Sequence, residues 1–476
     1  MYNQLSRAFI VYKNSGGNKK LSIPKDSVIK QLMALQTVED YSTLNPVVEL
    51  EKDRAITAKG YRGVNVDRAY SEEKRSYDDS MIGVISMNTS PDGNCGINRF
   101  LTMEPNITST RGFVELKDDK KEELKDANLF SPAELLYPLG NTRDDSIRTS
   151  MAAKQSKHVI PVKNSCPALI SNGYDEAIRF SLSSDFVVNA DEDGTVVDYN
   201  EKCGVMVVEY KSGKRRAIDL APHVVKNGGG GFWLNNQLIT KLKVGDKFKK
   251  DAVLAYHKDF FTDDDFNGVR MNVGVLEKVA ITSSYDTYND SACITQKLAK
   301  DAESDMTFCK QIVIGKNSNI YSIKNVGDHV EIGDSLIDFD VSFEDNELNK
   351  LLSHLSDENK EVLEENATNS IKSKYAGTII DIKIYSSVEL EELSESLQKV
   401  VKSYYARIDN KKKFVSKYDT DNNSSIVKCG LLLNESTGKV EPNMYGVIKG
   451  QKVQDSVLIE FYIEHSDIMG CGDKLA

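Results

Sequence analysis

The apolar and polar positions in the second half of the chain predict antiparallel sheet. From about Phe180, short β-branched runs such as residues 205–210 (VMVVEY) are separated by the turn pairs Asp193-Gly194 and Ser212-Gly213. Runs of this kind with a glycine turn between them are typical of antiparallel strands. The first third of the chain is richer in turn residues, which favours loops.

Two later segments carry apolar residues at helical spacing. Side chains three and four residues apart form one face of a helix, and such a face usually packs on a core or a partner. The two stripes are Leu348, Leu351, Leu352 and Leu355, and then Leu390, Leu393, Leu397, Val400, Val401 and Tyr404. We therefore predict two helices within the β-rich half.

A short glycine-aspartate pattern recurs at residues 244–248 (VGDKF) and 326–330 (VGDHV). In both copies the Gly-Asp pair lies between β-branched or aromatic residues, which predicts a tight hairpin of a small barrel. The copies are too short to indicate a solenoid.

Composition and charge limit the possible partners. The chain has 476 residues, 40% hydrophobic and 28% charged, and this length suggests roughly three domains. Its 61 basic and 72 acidic residues give a net charge of −11. The surface as a whole therefore cannot bind polyanions without specificity, and any contact with nucleic acid must be local.

The chain also lacks the marks of an exported or membrane protein. No apolar run approaches the ~18 residues of a membrane span, and the polar residues 1–5 do not resemble a signal peptide. Seven cysteines without a C-x-x-C pair fit neither a disulfide framework nor a zinc site. We expect a soluble protein in a reducing cytoplasm.

No motif of a self-contained active site is present. The sequence has no H-E-x-x-H, G-x-S-x-G, P-loop or G-x-G-x-x-G motif, and its six histidines lack ligand spacing. A stand-alone hydrolase or metalloenzyme is therefore not expected, and three polar clusters remain as candidate sites.

The first cluster is basic and lies in a glycine-containing region that we interpret as a loop. Guanidinium groups there could hold phosphates, although composition alone favours a solvated charged face. Its members are Lys52, Arg54, Lys59, Arg62 and Arg68.

The second cluster depends on a helix at residues 146–158. In a helix, Arg148 and Met151 would be neighbours, and Lys154 would lie beside both Lys157 and His158. The spacing predicts a cationic ridge.

The third cluster is the acidic turn at residues 286–291 (DTYNDS), which lies between apolar residues 279–281 and 292–294. A carboxylate at a strand end can steer a metal or a cationic partner, although most such turns only cap structure.

These clusters occur in the order found in the β subunit of multisubunit RNA polymerases. Residues that resemble the fork loop of that family are Asn45, Pro46, Glu49, Leu50, Arg54, Ala58, Gly60, Gly63, Arg68 and Ala69. Residues 90–96, with Asp92 and Asn94, resemble its Thr-Pro-Glu-Gly-Pro-Asn-x-Gly segment but are one residue short.

Later segments continue the resemblance. Residues that match β-subunit stretches at residues 144–161 and 167–177 are Asp144, Asp145, Arg148, Met151, Ala153, Pro161, Pro167, Gly173, Glu176 and Ala177. Asp290-Ser291 resembles the end of Gly-Tyr-Asn-x-Glu-Asp-Ser-Ile, residues 377–381 resemble the strand that leaves the flap, and residues 472–476 resemble the approach to the glycine-rich active-centre motif. The chain is similar to the central part of β in the split polymerases of giant (phiKZ-like) bacteriophages.

The resemblance implies an α+β, β-rich multidomain fold with small barrels of the double-psi kind, a flap module and interspersed helices. The implied divisions are a fork-loop region at 1–110, a helical substrate-side segment at 111–165, a β-rich barrel and active-centre-facing segment at 166–306, a flap at 307–385, and a helix with return strands at 386–476.

The resemblance also implies roles for particular residues. Arg148 would approach the phosphates of the incoming nucleotide, and Asp290 would face the catalytic centre. Residues 54–68 would hold melted DNA through its phosphates. The nucleic-acid and substrate contacts implied in this way are Arg54, Arg62, Arg68, Asp92, Asn94, Lys154 and His158. No metal ligand is implied in this chain.

The implied activity is template-directed RNA synthesis by an assembly that requires several chains. Mg²⁺ would be held mainly by the β′ partner, and this chain alone would bind no cofactor and be inactive. Its partners would be other β fragments, β′ fragments, a promoter-specificity factor at the flap, template DNA, RNA and nucleoside triphosphates, with no membrane. The location would be the cytoplasm of the infected bacterium or the virion.

Two other functions remain open from the sequence. A noncatalytic, β-rich phage structural or assembly protein would carry the basic loops as solvated surface. A free nucleic-acid-binding module is disfavoured by the net charge of −11.

Overall fold

The computed structural model describes residues 2–18, 20–21, 45–60, 63–90, 92–107, 109, 124–140, 146–226, 233–264, 268–282, 285, 291–340, 368–386, 388–420, 456–473 and 475. Its helices are α1 (Tyr2–Asn14), α2 (Pro46–Asp53), α3 (Asp126–Leu129), α4 (Pro132–Leu135), α5 (Ser146–His158), α6 (Tyr174–Ala177), α7 (Gln296–Asp301) and α8 (Glu395–Ser416).

Strands are distributed along most of the chain. They are β1 (Ala55–Thr57), β2 (Ile85–Thr89), β3 (Asn98–Leu101), β4 (Cys166–Pro167), β5 (Val187–Asn189), β6 (Gly194–Asn200), β7 (Val205–Tyr210), β8 (Arg215–Asp219), β9 (His223–Lys226), β10 (Trp233–Asn236), β11 (Leu238–Ile239), β12 (Lys247–Phe248), β13 (Val253–His257), β14 (Phe261–Asp263), β15 (Val269–Gly274), β16 (Ser304–Gly315), β17 (Ile320–Ile323), β18 (His329–Val330), β19 (Ser335–Asp340), β20 (Thr368–Lys372), β21 (Gly377–Ser386) and β22 (Ser456–Asp467).

The strands form several antiparallel sheets, as the alternation of short runs predicted. Their orders are β1-β3-β2, β11-β13-β5, β12-β6-β7-β8, β14-β15-β4, β17-β19-β20 and β18-β21-β22-β16-β10-β9. The α+β, β-rich multidomain fold is confirmed.

The predicted small barrels are wrong for the part of the chain that the structure describes, because none of these sheets closes on itself. Closure needs a continuous, staggered ladder around the whole barrel. Several ladders here end instead at strands of two residues, such as β12 and β18.

The glycine-aspartate turns form as predicted, but they do not make hairpins. In residues 243–246, 325–328 and 331–334, the aspartate N–H donates to the carbonyl three residues earlier, and the aspartate carboxylate accepts from that residue's N–H. The glycine before each aspartate has φ between 93° and 96°, which suits the third position of a type II turn. The strands that follow pair at a distance, β12 with β6 and β18 with β21.

A first core joins the early helices to the middle of the chain. Val47 and Leu50 of α2 pack with Ala153 of α5 and with Phe260 and Met271. Each of these side chains is at most 2% exposed. Fully burying a large apolar side chain contributes about 1.5–3 kcal/mol, so this cluster fixes the two helices against the β-rich part.

Two further cores lie in the sheets. One packs β7 residues such as Met206 and Val208 against β13. The other lies between the six-stranded sheet, the β17-β19-β20 sheet and α8. The central strand of the larger sheet is β22, which pairs along its whole length with β16 and also with β21.

The second leucine stripe forms α8 from Leu397 onward, with Leu397, Val401 and Tyr404 buried. Leu390 and Leu393 precede the helix, because the Ser394 hydroxyl accepts from the Leu397 N–H and so begins the helix there. The first stripe, at residues 348–355, lies outside the described residues. In the described part of the chain, no helix is both long and apolar enough to span a membrane.

Candidate nucleic-acid interface

The start of α2 is joined to the end of α5 through one side chain. Asn45 caps α2, and its Oδ1 accepts from the Val47 N–H at 2.8 Å. Its Nδ2 donates to the carbonyls of Ser156 at 3.0 Å and Val159 at 2.7 Å, which lie at the end of α5. One side-chain amide therefore provides hydrogen-bond partners for backbone groups that have none within their own helix, at the start of α2 and at the end of α5. It fixes the two helices to each other.

The buried carboxylate of Glu51 makes the second connection. Its Oε1 accepts from the Ala133 N–H at the start of α4 at 3.1 Å, and its Oε2 accepts from Asn88 Nδ2 at 2.9 Å. Lys157 Nζ of α5 lies 3.4 Å from the same Oε2 and 4.2 Å from the centre of the Phe100 ring. Glu51 is only 1% exposed, so its charge depends on these partners.

Glu134 lies beside this carboxylate in an apolar setting. Its Oε2 accepts from the Ser131 N–H at 2.8 Å in a capping box, while its buried Oε1 has no hydrogen-bond partner among the described residues. Burial raises the pKa of Glu134 from 4.5 to about 7, and the nearby Glu51 carboxylate adds to the rise.

This raised pKa predicts that stability falls as the pH rises from about 4.5 to about 7. The folded protein keeps a proton on Glu134 in that range, whereas the unfolded chain has lost it. Glu134→Gln retains an acceptor for the Ser131 N–H and removes the ionisation. We expect the variant to match the parent near pH 4.5 and to gain about 2 kcal/mol over it at pH 8.

Urea unfolding at several pH values measures this difference. If the free energy of unfolding depended on pH equally in the parent and the variant, Glu134 would not keep its proton up to about pH 7 in the folded protein, and the account would be contradicted.

A turn beside the β1-β3-β2 sheet is held by Arg75. Its Nε donates to the Ala69 carbonyl at 2.7 Å, and its Nη1 donates to the carbonyls of Gly93 at 2.9 Å and Cys95 at 2.8 Å. Sequence reasoning did not single out Arg75, because a structural arginine within a basic segment has the same pattern as an exposed one. The arginine joins the two segments that resemble the fork loop and the Thr-Pro-Glu-Gly-Pro-Asn-x-Gly segment.

Asp92 and Asn94 lie in that turn and shape it. The Asp92 carboxylate accepts from the Asn94 N–H at 2.8 Å, as in an Asx turn. Gly96 follows with φ 75°, and a Cβ on it would lie 2.3 Å from the Arg75 carbonyl oxygen. The contacts made by Asp92 are therefore those of a turn.

The predicted basic loop is partly helical. Lys52 lies in α2, and Arg54 caps its end, with Nη1 donating to the Leu50 carbonyl at 3.3 Å. Arg54 is half-buried. Arg68 is exposed at the end of a 3₁₀ turn at Val66–Arg68, and Arg62 lies outside the described residues.

Helix α5 spans Ser146–His158, as the sequence predicted. Arg148 and His158 are exposed at its two ends, and Lys154 is half-buried. Lys157, one member of the predicted ridge, is bound to Glu51. The other members, Arg148, Lys154 and His158, lie along the same helix.

The structure therefore brings α2 and α5, which are about a hundred residues apart in sequence, into one unit with the turn at residues 92–96. Residues 1–67 match the family described as bacteriophage RNA polymerase. No curated protein matches the chain.

The family match connects the chain with a phage RNA polymerase, and so with phage transcription and, at this coarse level, with nucleotidyl transfer. It takes in α1, α2, β1 and the first residues of the basic cluster.

The acidic cluster is only partly described. Asp290 lies outside the described residues. The apolar residues before it do not form core strands, because Val279 is 86% exposed and Ile281 is 100% exposed. The sequence placed this acidic turn between two apolar runs, and the first of those runs lies on the surface.

The described residues include no group of three or more His, Cys, Asp or Glu side chains arranged to hold a metal ion. His257 is a buried core residue, and burial lowers its pKa to about 3. Its Nε2 faces Asn236 Oδ1 at 3.3 Å, and its Nδ1 accepts from the Asp259 N–H at 3.3 Å. Both ring nitrogens are thus used within the fold.

Proposed function

We propose that the chain is part of the β subunit of a phage-encoded multisubunit DNA-dependent RNA polymerase of the split type. It would help to form the active-centre cleft, the nucleotide site, the fork loop and the flap. The observation that carries the proposal is the junction of α2 and α5 through Asn45, Glu51 and Lys157. Two of the sequence segments that resemble β meet there.

The match of residues 1–67 to bacteriophage RNA polymerase supports the proposal from an independent direction. The matched residues include the whole of α2, which is one half of the junction. A structural or assembly protein of a phage would need neither this match nor a helix that presents Arg148 beside it.

In the proposed mechanism, the chain supplies cationic contacts and not the metal site. Catalytic Mg²⁺ held by a β′ partner would stabilise the attacking and leaving oxygens of phosphoryl transfer.

Arg148 is proposed to contact the phosphates of the incoming nucleotide. A guanidinium can pair with phosphate oxygens through two parallel hydrogen bonds and offset charge on the leaving pyrophosphate. Its exposed place on the first turn of α5 allows that contact. Lys154 and His158, further along α5, would contact substrate or the RNA–DNA strands, and Asp290 would face the catalytic centre.

Arg54, Arg62 and Arg68 are proposed to hold DNA strands through phosphate without reading bases. Asp92 and Asn94 would set the turn that borders this site. Residues 307–385 would form the flap, where a promoter-specificity factor docks. Other β fragments and β′ fragments would complete the enzyme, in the infected cell or in the virion.

Substitution of Arg148 tests the proposal. In the reconstituted polymerase, Arg148→Ala should raise the nucleotide concentration for half-maximal RNA synthesis by about 30-fold, because a lost charge-assisted bond costs about 2 kcal/mol. Arg148→Lys keeps the charge but loses the bidentate contact, so it should give a smaller rise.

The matched control is Lys214→Ala, which removes an exposed cation from the β7–β8 hairpin. It should leave the nucleotide requirement unchanged. An unchanged requirement in Arg148→Ala would contradict the proposed role and favour the structural or assembly protein.

A further inference from the structure

We propose that one face of α8 binds the phosphate backbone of a nucleic-acid strand, at a surface separate from the α2–α5 junction. The face, which we call the lysine face, consists of Lys399, Lys402, Lys413 and Lys417. All four side chains are exposed. Three of them stand on a helix of 22 residues and Lys417 caps its end, in a protein whose net charge is −11.

The direction of the lysine face follows from the buried side of the helix. Leu397, Val401 and Tyr404 are buried in the core between the six-stranded sheet and the β17-β19-β20 sheet, and Val415 is buried against β7 and β8. At about 3.6 residues per turn, the four lysines lie on the side of the helix opposite these residues. The fold therefore directs the lysines away from both cores that α8 bridges.

The helix is held in place by other cations, which leaves the lysine face for a ligand. Arg407 pairs with Asp381 at 2.9 Å, and Lys411 pairs with Asp219 at 2.6 Å. These pairs attach α8 to the two sheets beneath it. Within the described residues, the side chains of Lys399 and Lys413 form no hydrogen bond or ion pair, and Lys402 Nζ donates only to Gln398 Oε1 at 3.2 Å. Lys417 Nζ donates to the Tyr418 hydroxyl at 3.0 Å and lies 4.9 Å from the centre of that ring.

One other cationic surface among the described residues is balanced by acids. At the tip of the β6–β8 hairpins, Lys211 pairs with Asp193, Arg215 with Glu209, and Arg216 with Asp191. On α8, the exposed acids are Glu395 and Asp409. They leave the lysine face with a positive excess along its length.

The dimensions suit an extended polyanion. Lys399 and Lys413 are 14 residues apart, which is about 21 Å along a helix. Residues 406 and 410 between them are alanine and asparagine, while the exposed acids Glu395 and Asp409 lie four residues before Lys399 and Lys413. The four lysines therefore keep a positive excess over these two carboxylates. A rigid line of ammonium groups can contact successive phosphates without base recognition.

The identity of the polyanion as nucleic acid rests on the proposed function, since a polymerase subunit works beside DNA and RNA. The charge geometry itself does not depend on that function. Single-stranded RNA and single-stranded DNA share the phosphate chemistry that the face would recognise, and separate binding measurements distinguish them.

The test uses the full chain, fluorescent 20-nucleotide RNA and DNA strands, and a series of salt concentrations. The variant is Lys399→Gln, Lys402→Gln and Lys413→Gln together. We expect about tenfold weaker binding at 0.1 M salt. The slope of log affinity against log salt should also fall by about 2, because each contacted phosphate of a single strand contributes about 0.7.

The control removes the same charge from the hairpin tip, as Lys214→Gln, Lys249→Gln and Lys250→Gln together, and it should change the affinity less than twofold. A loss with RNA identifies RNA as the ligand, and a loss with DNA identifies DNA. Equal binding by the α8 variant and the control variant with both strands would overturn the proposal.

The assay involves no catalysis, so its outcome is independent of the Arg148 test. If the lysine face binds strands but Arg148→Ala leaves the nucleotide requirement unchanged, the face is supported and the polymerase proposal is contradicted. If Arg148→Ala raises the requirement but the α8 variant binds as the control does, only the lysine face is contradicted. Unchanged circular dichroism and thermal unfolding would show that the exposed substitutions leave the fold intact.

Discussion

Replacing Glu51 with alanine is expected to destabilise the protein by about 4 kcal/mol. The substitution leaves the Ala133 N–H, the Asn88 amide and the Lys157 ammonium without their shared acceptor in a site that is 1% exposed. Removing one partner of a buried ion pair costs about 3–5 kcal/mol. The Lys157 side chain is 21% exposed, and the two N–H donors that lose a buried acceptor add to the cost. Urea unfolding measures the change.

The expected consequence is local as well as global. Since Glu51 connects α2 to α4 and α5, amide hydrogen exchange in residues 45–53 and 146–158 should accelerate in the variant. Glu51→Gln keeps the side-chain volume and one acceptor, so it should lose less stability than Glu51→Ala. Glu73→Ala removes a carboxylate that is exposed, and its free energy of unfolding should stay within about 0.5 kcal/mol of the parent. Equal stability of the Glu51 and Glu73 variants would contradict the account of the junction.

Replacing Gly96 with alanine is expected to cost about 3 kcal/mol. The residue has φ 75°, where a side chain is strained, and its Cβ would lie 2.3 Å from the Arg75 carbonyl oxygen. Backbone atoms cannot move aside as a flexible side chain can, so the turn at residues 92–96 must distort. Thermal unfolding measures the loss.

Gly93→Ala is the matched control in the same turn. A Cβ on Gly93 meets nothing within 4 Å, and Gly93 is not among the residues with positive φ. We expect a change below about 1 kcal/mol for this control. Similar losses for the two alanine variants would show that the described turn geometry does not control stability.

Sequence patterns predicted the elements that depend on local periodicity. Residues 205–210 form a strand, residues 146–158 form a helix, and the apolar stripe from Leu397 forms α8. The glycine-aspartate turns also formed, because a turn is specified by a few adjacent residues. Ser394, a residue type that favours helix starts, marks the beginning of α8 in the sequence. The leucine spacing, which begins at Leu390, predicted an earlier start.

Strand partners could not be predicted in the same way. The pairing of β12 with β6 joins residues about fifty positions apart, and neither strand encodes the other's register. The prediction of hairpins and closed barrels assumed that neighbours in sequence pair. Register depends on the burial of both faces, which only the folded chain determines.

The resemblance named Arg148 and Arg68 as site residues, and both side chains are exposed. Their roles stay predictions. Glu51, Arg75 and Lys157 carry the structure of the site, yet each lies in a charged segment where sequence does not distinguish a buried group from a solvated one. Burial is a long-range property, so these three residues required the fold.

Purification of the tagged chain from infected cells tests the central claim most directly. The account predicts that the chain elutes in a stable complex with the chains that carry the remaining β and β′ segments, and that this complex synthesises RNA on a DNA template. Recovery of the chain as a lone monomer, or in a particle without polymerase chains and without RNA synthesis, would contradict it.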